Sequence, residues 1–97
     1  MFEQSFNVNT DAGLLGMFFW MTNKDGFGQV ACWVDDDQRE ERIRRVSAYN
    51  PYHPASTFEH SGDLWNDLSP GQHTLTCRLE TGSTGGNIFR IAATVTR

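Results

Sequence analysis

The sequence predicts an all-β fold, an antiparallel β-sandwich of immunoglobulin-like or jelly-roll-like type, formed as a single domain over residues 1–97. Three observations carry that prediction. Turn-forming clusters recur at short intervals, at Asp11-Ala12-Gly13, Asn23-Lys24-Asp25-Gly26, Asn50-Pro51, Ser61-Gly62-Asp63, Ser69-Pro70-Gly71 and Thr81 to Asn87, as short strands joined by regular turns require. The clearest segments between them alternate apolar and polar residues with the period of a strand. Hydrophobic residues make up 38% of the chain, with seven Phe, three Trp and two Tyr, so large rings stand in for a deeper aliphatic interior in a domain of this size.

Taken in order, Phe2, Phe6 and Val8 suggest an opening strand whose alternation is broken by Gln4. Leu14 to Thr22 is apolar on both faces, as a central strand covered on two sides would be. Gly28 to Asp35 sets Val30, Cys32 and Val34 on one face and Ala31, Trp33 and Asp35 on the other. Arg39 to Tyr49 fits either a short helix or an edge strand with charged flanks and is read as a strand. The Pro and His content of Asn50 to Ser61 points to an irregular loop, followed by a short turn at Asp63 to Leu68. Gln72 to Glu80 is the clearest strand, with His73, Leu75, Cys77 and Leu79 inward. The last strand places Phe89, Ile91, Ala93 and Val95 opposite Arg90, Ala92, Thr94 and Thr96.

Charge and hydropathy exclude several classes of function. The net charge is −4, and the Arg-rich run from Arg39 to Arg45 is interleaved with Glu40 and Glu41 and follows Asp35, Asp36 and Asp37, which is no nucleic-acid footprint. No apolar stretch approaches the ~20 residues of a membrane span. The first residues, Met-Phe-Glu-Gln-Ser-Phe, lack the basic-then-apolar layout of a secretory signal, which fits either a cytosolic protein or a piece of a longer secreted one.

Cys32 and Cys77 are each in phase with the inward apolar residues of their strands. Either they form a bridge, which would clamp the two layers together and add about 4 kcal/mol on the chain-entropy account, or they are two buried thiols acting as small hydrophobes. Phase favours the bridge, and with it an oxidising compartment.

Two further motifs carry a resemblance. The stretch Gly26-Phe27-Gly28-Gln29-Val30-Ala31-Cys32-Trp33-Val34-Asp35-Asp36 is followed by Leu68-Ser69-Pro70-Gly71-Gln72-His73-Thr74-Leu75-Thr76-Cys77 and Phe89-Arg90-Ile91. Together they resemble the C-terminal β-sandwich region of fungal secreted SGNH (GDSL-type) hydrolases and capsule-associated-like proteins, in which a Cys-Trp-Val-Asp-Asp strand precedes a Pro-Gly-x-His-x-x-x-Cys strand. The resemblance spans residues 18–92, with a gap between Asp37 and Trp65. It implies a Cys32–Cys77 disulfide, a fungal secreted origin and a place beside a catalytic domain or glycan-handling partner. It does not imply esterase activity, because that family's Gly-Asp-Ser nucleophile motif is absent from this chain. Lacking a secretion signal, the chain could instead be a cytoplasmic lectin.

The candidate chemistry is binding rather than catalysis. Ser, His and carboxylates are present, but none sits in a nucleophile elbow, so no catalytic residue and no cofactor is assigned. Asp35, Asp36 and Asp37 are candidates for calcium if backbone carbonyls complete the shell; the plainer reading is a solvated strand exit paired with Arg39 and Arg42. Sugar recognition needs flat rings for the C–H face of a pyranose and planar polar groups for its hydroxyls. Trp33 on the outward face, with Tyr49, Asn50, Tyr52, His53 and Trp65 in and beside the loop, supplies both types. Against this, any single Trp is more often an interior plug. The expected function is a non-catalytic, lectin-like glycan-binding module accessory to a carbohydrate-active or secreted protein. The alternative is a structural or protein-interaction module that stabilises a neighbouring domain or forms a homodimer.

Overall fold

The structure, a computed structural model, describes residues 3–23, 26–80 and 88–97. The chain runs through β1 (Glu3–Thr10), β2 (Leu15–Met21), β3 (Gln29–Val34), a 3-10 turn (Glu40–Arg42), β4 (Arg44–Ser47), β5 (Thr57–His60), β6 (Gly71–Glu80) and β7 (Ile91–Thr96). All pairings within the sheets are antiparallel, in a four-stranded sheet ordered β1-β6-β3-β4 and a three-stranded sheet ordered β5-β2-β7. The two sheets close over one core as a β-sandwich, as the turn spacing and alternation predict. The first two strands fall in different sheets, so the strand order is not that of an immunoglobulin domain, where they share one.

The core follows the strand phases. Leu15, Met17 and Phe19 of β2 face Val8, Val30, Cys32, Val34, Leu75 and Cys77 of the opposite sheet, with Trp65 and Phe89 in the same buried cluster. Phe19 and Phe89 stack with centroids 5.7 Å apart. Trp65 is held by a bridge to Leu15, and its indole N–H donates to the Arg42 carbonyl at 3.1 Å. Arg44 covers the Trp65 ring from the sheet edge at 5.8 Å while donating to the Leu64 carbonyl.

Four expectations are corrected. The disulfide forms, but it lies within one sheet: Cys32 of β3 is directly opposite Cys77 of β6, with Cα atoms 4.1 Å apart, the close spacing of an antiparallel pair that exchanges no backbone hydrogen bonds. It therefore ties two neighbouring strands rather than two layers. In the last strand, an irregularity at Phe18/Phe19 leaves Ala92 unpaired, so that Ile91 pairs with Phe19 and Ala93 with Phe18. A one-residue bulge flips every later side chain; Thr94 and Thr96 oppose buried Met17 and Leu15, and Ala93 and Val95 turn outward. The loop assigned to Asn50 to Ser61 contains a strand, β5, whose Phe58 and His60 oppose Trp20 and Phe18. Finally, β2 is central in its sheet, yet its outer face is open, with Phe18 39% exposed. The segment Arg39 to Tyr49 divides into the 3-10 turn and β4. Phe2, Lys24, Asp25 and the turn at Thr81 to Asn87 lie outside the described residues.

Candidate functional site: a polar depression at the end of the four-stranded sheet

The neighbouring strands β1 and β6 pair Asn7 with Thr74 and Asn9 with Gln72. Directly opposed residues share a face, so two amides from one strand meet an amide and a hydroxyl from the next. Val8 and His73, also opposed, lie between them on the inner side. Asp35, at the exit of β3, completes the lining of a shallow depression of about 490 Å³.

Asp35 closes the sheet. Its N–H donates to the Thr74 carbonyl at 2.7 Å, and its Oδ1 accepts the Thr74 N–H at 3.0 Å, so one residue satisfies both backbone groups of its neighbour. To do so it adopts a left-handed backbone, φ 57°, a region that Asp and Asn tolerate better than other non-glycine residues. Its Oδ2 lies 2.9 Å from His73 Nδ1. The other ring nitrogen, Nε2, lies 2.7 Å from the Ser69 carbonyl oxygen and 3.5 Å from Ser69 Oγ. Ser69, His73 and Asp35 thus have the order of a nucleophile relay. Nε2, however, is taken up by a carbonyl that only accepts, so it offers no lone pair to the hydroxyl. The electrostatics agree with a clamp: the Ser69 carbonyl, then the Asp35 carboxylate, hold His73 above its ordinary pKa. The Thr74 N–H, then His73, hold Asp35 below its own.

The residues expected to form a sugar site do not share one surface. Trp33 is on the outward face as its phase requires, but it is only 5% exposed, and the Arg78 guanidinium lies over its ring at 5.1 Å. Trp65 is 2% exposed and belongs to the core. Tyr49 and Asn50 are half-buried. Asn50 Oδ1 accepts the Tyr52 N–H at 3.0 Å and so shapes the turn. His53 packs against Glu59, its Nε2 3.1 Å from the carboxylate. Tyr52 alone of the six presents its ring freely, at 92% exposure. In the acidic run, Asp37 pairs with Arg39, which holds its carboxyl down to about 2. Arg42 pairs with Asp67 instead. Among the described residues no group of three or more His, Cys, Asp or Glu is placed to hold a metal ion.

Sequence reasoning missed two surfaces. The first is the depression, whose amides are unremarkable polar residues until the β1–β6 register brings them together. The second is the outer face of the three-stranded sheet, where Phe18 meets His60 and Trp20 meets Phe58 in edge-to-face pairs, with centroids 5.0 and 4.8 Å apart. The pattern that could have revealed it was present, since a strand apolar on both faces leaves one face open when nothing covers it. The fold and these surfaces define a disulfide-tied β-sandwich with a polar depression on one sheet and an aromatic face on the other. No protein-family model, curated protein or solved structure matches the chain.

Proposed function

We propose that the protein is a non-catalytic glycan-binding module that takes its ligand in the depression between β1, β6 and Asp35. The observation that carries this reading is the convergence of Asn7, Asn9, Gln72, Thr74 and Asp35 around one shallow space of about 490 Å³. That volume falls within the range of small-ligand sites. Carboxamide and carboxylate groups offer paired donors and acceptors in a plane, which suits vicinal hydroxyls and is poorly matched to an apolar ligand. The disulfide is compatible with an extracellular location, and the resemblance to fungal secreted proteins supports an accessory role beside a carbohydrate-active partner. Asn7, Asn9 and Gln72 are exposed, so their removal should leave stability within about 0.5 kcal/mol. The test is binding across fungal, bacterial and plant glycans for the native protein and for Asn7→Ala with Gln72→Ala. Binding that disappears in the double variant supports the reading; a flat native response across all three sets would retire it.

A second reading, a homodimer or protein-interaction module, is favoured by the open aromatic face of Phe18, Trp20, Phe58 and His60. Soluble monomers rarely leave large contiguous apolar patches exposed.

A further inference from the structure

The His73 side chain is only 8% exposed, and both of its ring nitrogens face acceptors, Asp35 Oδ2 at 2.9 Å and the Ser69 carbonyl at 2.7 Å. A neutral imidazole has one N–H, and a charged one has two. In the neutral ring one nitrogen lone pair would therefore confront an oxygen lone pair at hydrogen-bond distance, and one of the two contacts would be lost. The charged ring donates to both. Among the described residues, the surroundings leave this pairing uncontested. Val8 of β1 stands opposite His73, flanked by Asn7 and Asn9, none of which titrates. From the β3 exit come Asp35 and the exposed Asp36, while Asp37 is engaged by Arg39. From the segment before β6 come only the carbonyl and hydroxyl of Ser69.

We propose that the depression is an acid-formed site: protonated His73 ties Asp35 on one side to Ser69 on the other, and deprotonation breaks one of the two ties, removes the positive charge that holds Asp35, and weakens retention of a polyhydroxylated ligand. The ligand half of this inference rests on the glycan reading above; the clamp does not. Its pH window follows from the two partners. His73 is raised above 6.5, so its contribution is complete below 6.5 and is lost as pH rises through the higher value it has in the folded chain. Asp35 is lowered below 3.8, so its contribution is complete above 3.8 and is lost as pH falls through its lower folded value. The clamp is thus intact across the mildly acidic range and opens on the alkaline side.

The experiment is an NMR titration of the full chain, following the His73 ring and the protection factor of the Thr74 amide, which normalises exchange to an unstructured chain at the same pH. Thr74 is the reporter because its N–H is held by Asp35 Oδ1. Its protection should fall roughly fivefold as His73 loses its proton, the worth of about one hydrogen bond. Asp35→Asn, which keeps a side chain suited to the left-handed backbone, should lower the His73 midpoint. In His73→Gln, Thr74 protection should no longer change with pH. Thr74 protection that stays flat through the His73 titration, or a midpoint unmoved by Asp35→Asn, overturns the clamp. Glycan affinity is then compared on either side of the midpoint: equal affinity overturns the coupling to the site. A clamp that titrates as described while no glycan binds at either pH counts against the glycan reading instead.

Discussion

At the residue scale, Trp33 and Trp65 show how one side-chain type is put to two uses. Trp65 fills the space between the sheets and spends its one donor on the Arg42 carbonyl. Trp33 lies outside the core and is covered by Arg78, whose guanidinium also reaches Glu3 at 3.4 Å. Removing the Trp65 ring and uncovering the Trp33 ring should therefore have unequal effects. Trp65→Ala leaves a buried cavity and an unpaired carbonyl, and is expected to cost about 3–5 kcal/mol. Arg78→Ala uncovers Trp33 and loses a cation–π contact of about 0.5–1 kcal/mol. Denaturant midpoints at matched m-values check the ranking; a loss for Trp65→Ala no larger than that for Arg78→Ala would show that the ring is not a core element. The outward phase of Trp33 was legible in the sequence, since Val30, Cys32 and Val34 claim the other face. Its covering was not, because Arg78 arrives from β6 only through the pairing of Ala31 with Arg78, and register between distant strands leaves no mark on either strand alone.

At the element scale, β3 and β6 were readable because alternation and turn residues agree there, β2 as an apolar run between turns, and β1 from Phe6 and Val8 in spite of Gln4. Gly13, Gly26, Gly62 and Gly71 all take positive φ within or at the edge of clusters that the sequence marks as turns. What failed was what depends on a partner. The phase of β7 changes at Ala92, and β5 exists because β2 offers Trp20 and Phe18 to Phe58 and His60. The amides of the depression were likewise visible only as scattered polar residues. The disulfide lies between these cases: inward phase indicated a bridge, while its position within one sheet needed the β3–β6 register. The cysteines are 45 residues apart, and closing a loop of that length constrains the unfolded chain by about 4 kcal/mol on the entropy model. Because the bond joins strands already paired on both sides of it, reduction should lower the melting temperature without splitting the transition. Thermal unfolding by near- and far-ultraviolet circular dichroism, with and without reductant, tests this. Two separated transitions would mean that the bond holds the sheets together after all, and an unchanged melting temperature would remove it from the stability of the domain. A parallel steric argument applies to Gly16, where a side-chain carbon would collide with the Gly62 carbonyl oxygen. The close approach of β2 to the chain after β5 has no room for Ala.

For the whole molecule, the two outer faces differ in chemistry. The four-stranded sheet is dressed with charge: Arg45 joins Glu40 and Glu80, and Arg78 joins Glu3 while lying over Trp33. Among the described residues the three-stranded sheet carries no comparable cover, with Phe58 57% exposed beside Phe18, Trp20 and His60. If that face serves a second copy, two such sheets would stack about a two-fold axis, the same patch meeting itself. A lasting dimer would then need to bury on the order of 1,200 Å². Phe18→Ser with Phe58→Ser separates this from a merely structural role. Each edge-to-face pair contributes about 0.5–1.5 kcal/mol, so the double variant should remain folded with a modestly lower midpoint. Sedimentation velocity should then show a native dimer and a monomeric variant, the polar depression on the opposite sheet being unaffected. A native protein that sediments as a monomer at every concentration, with the double variant no different, would overturn self-association through this face, because the substitutions leave the core of Leu15, Met17 and Phe19 in place and alter only what that sheet presents to its surroundings.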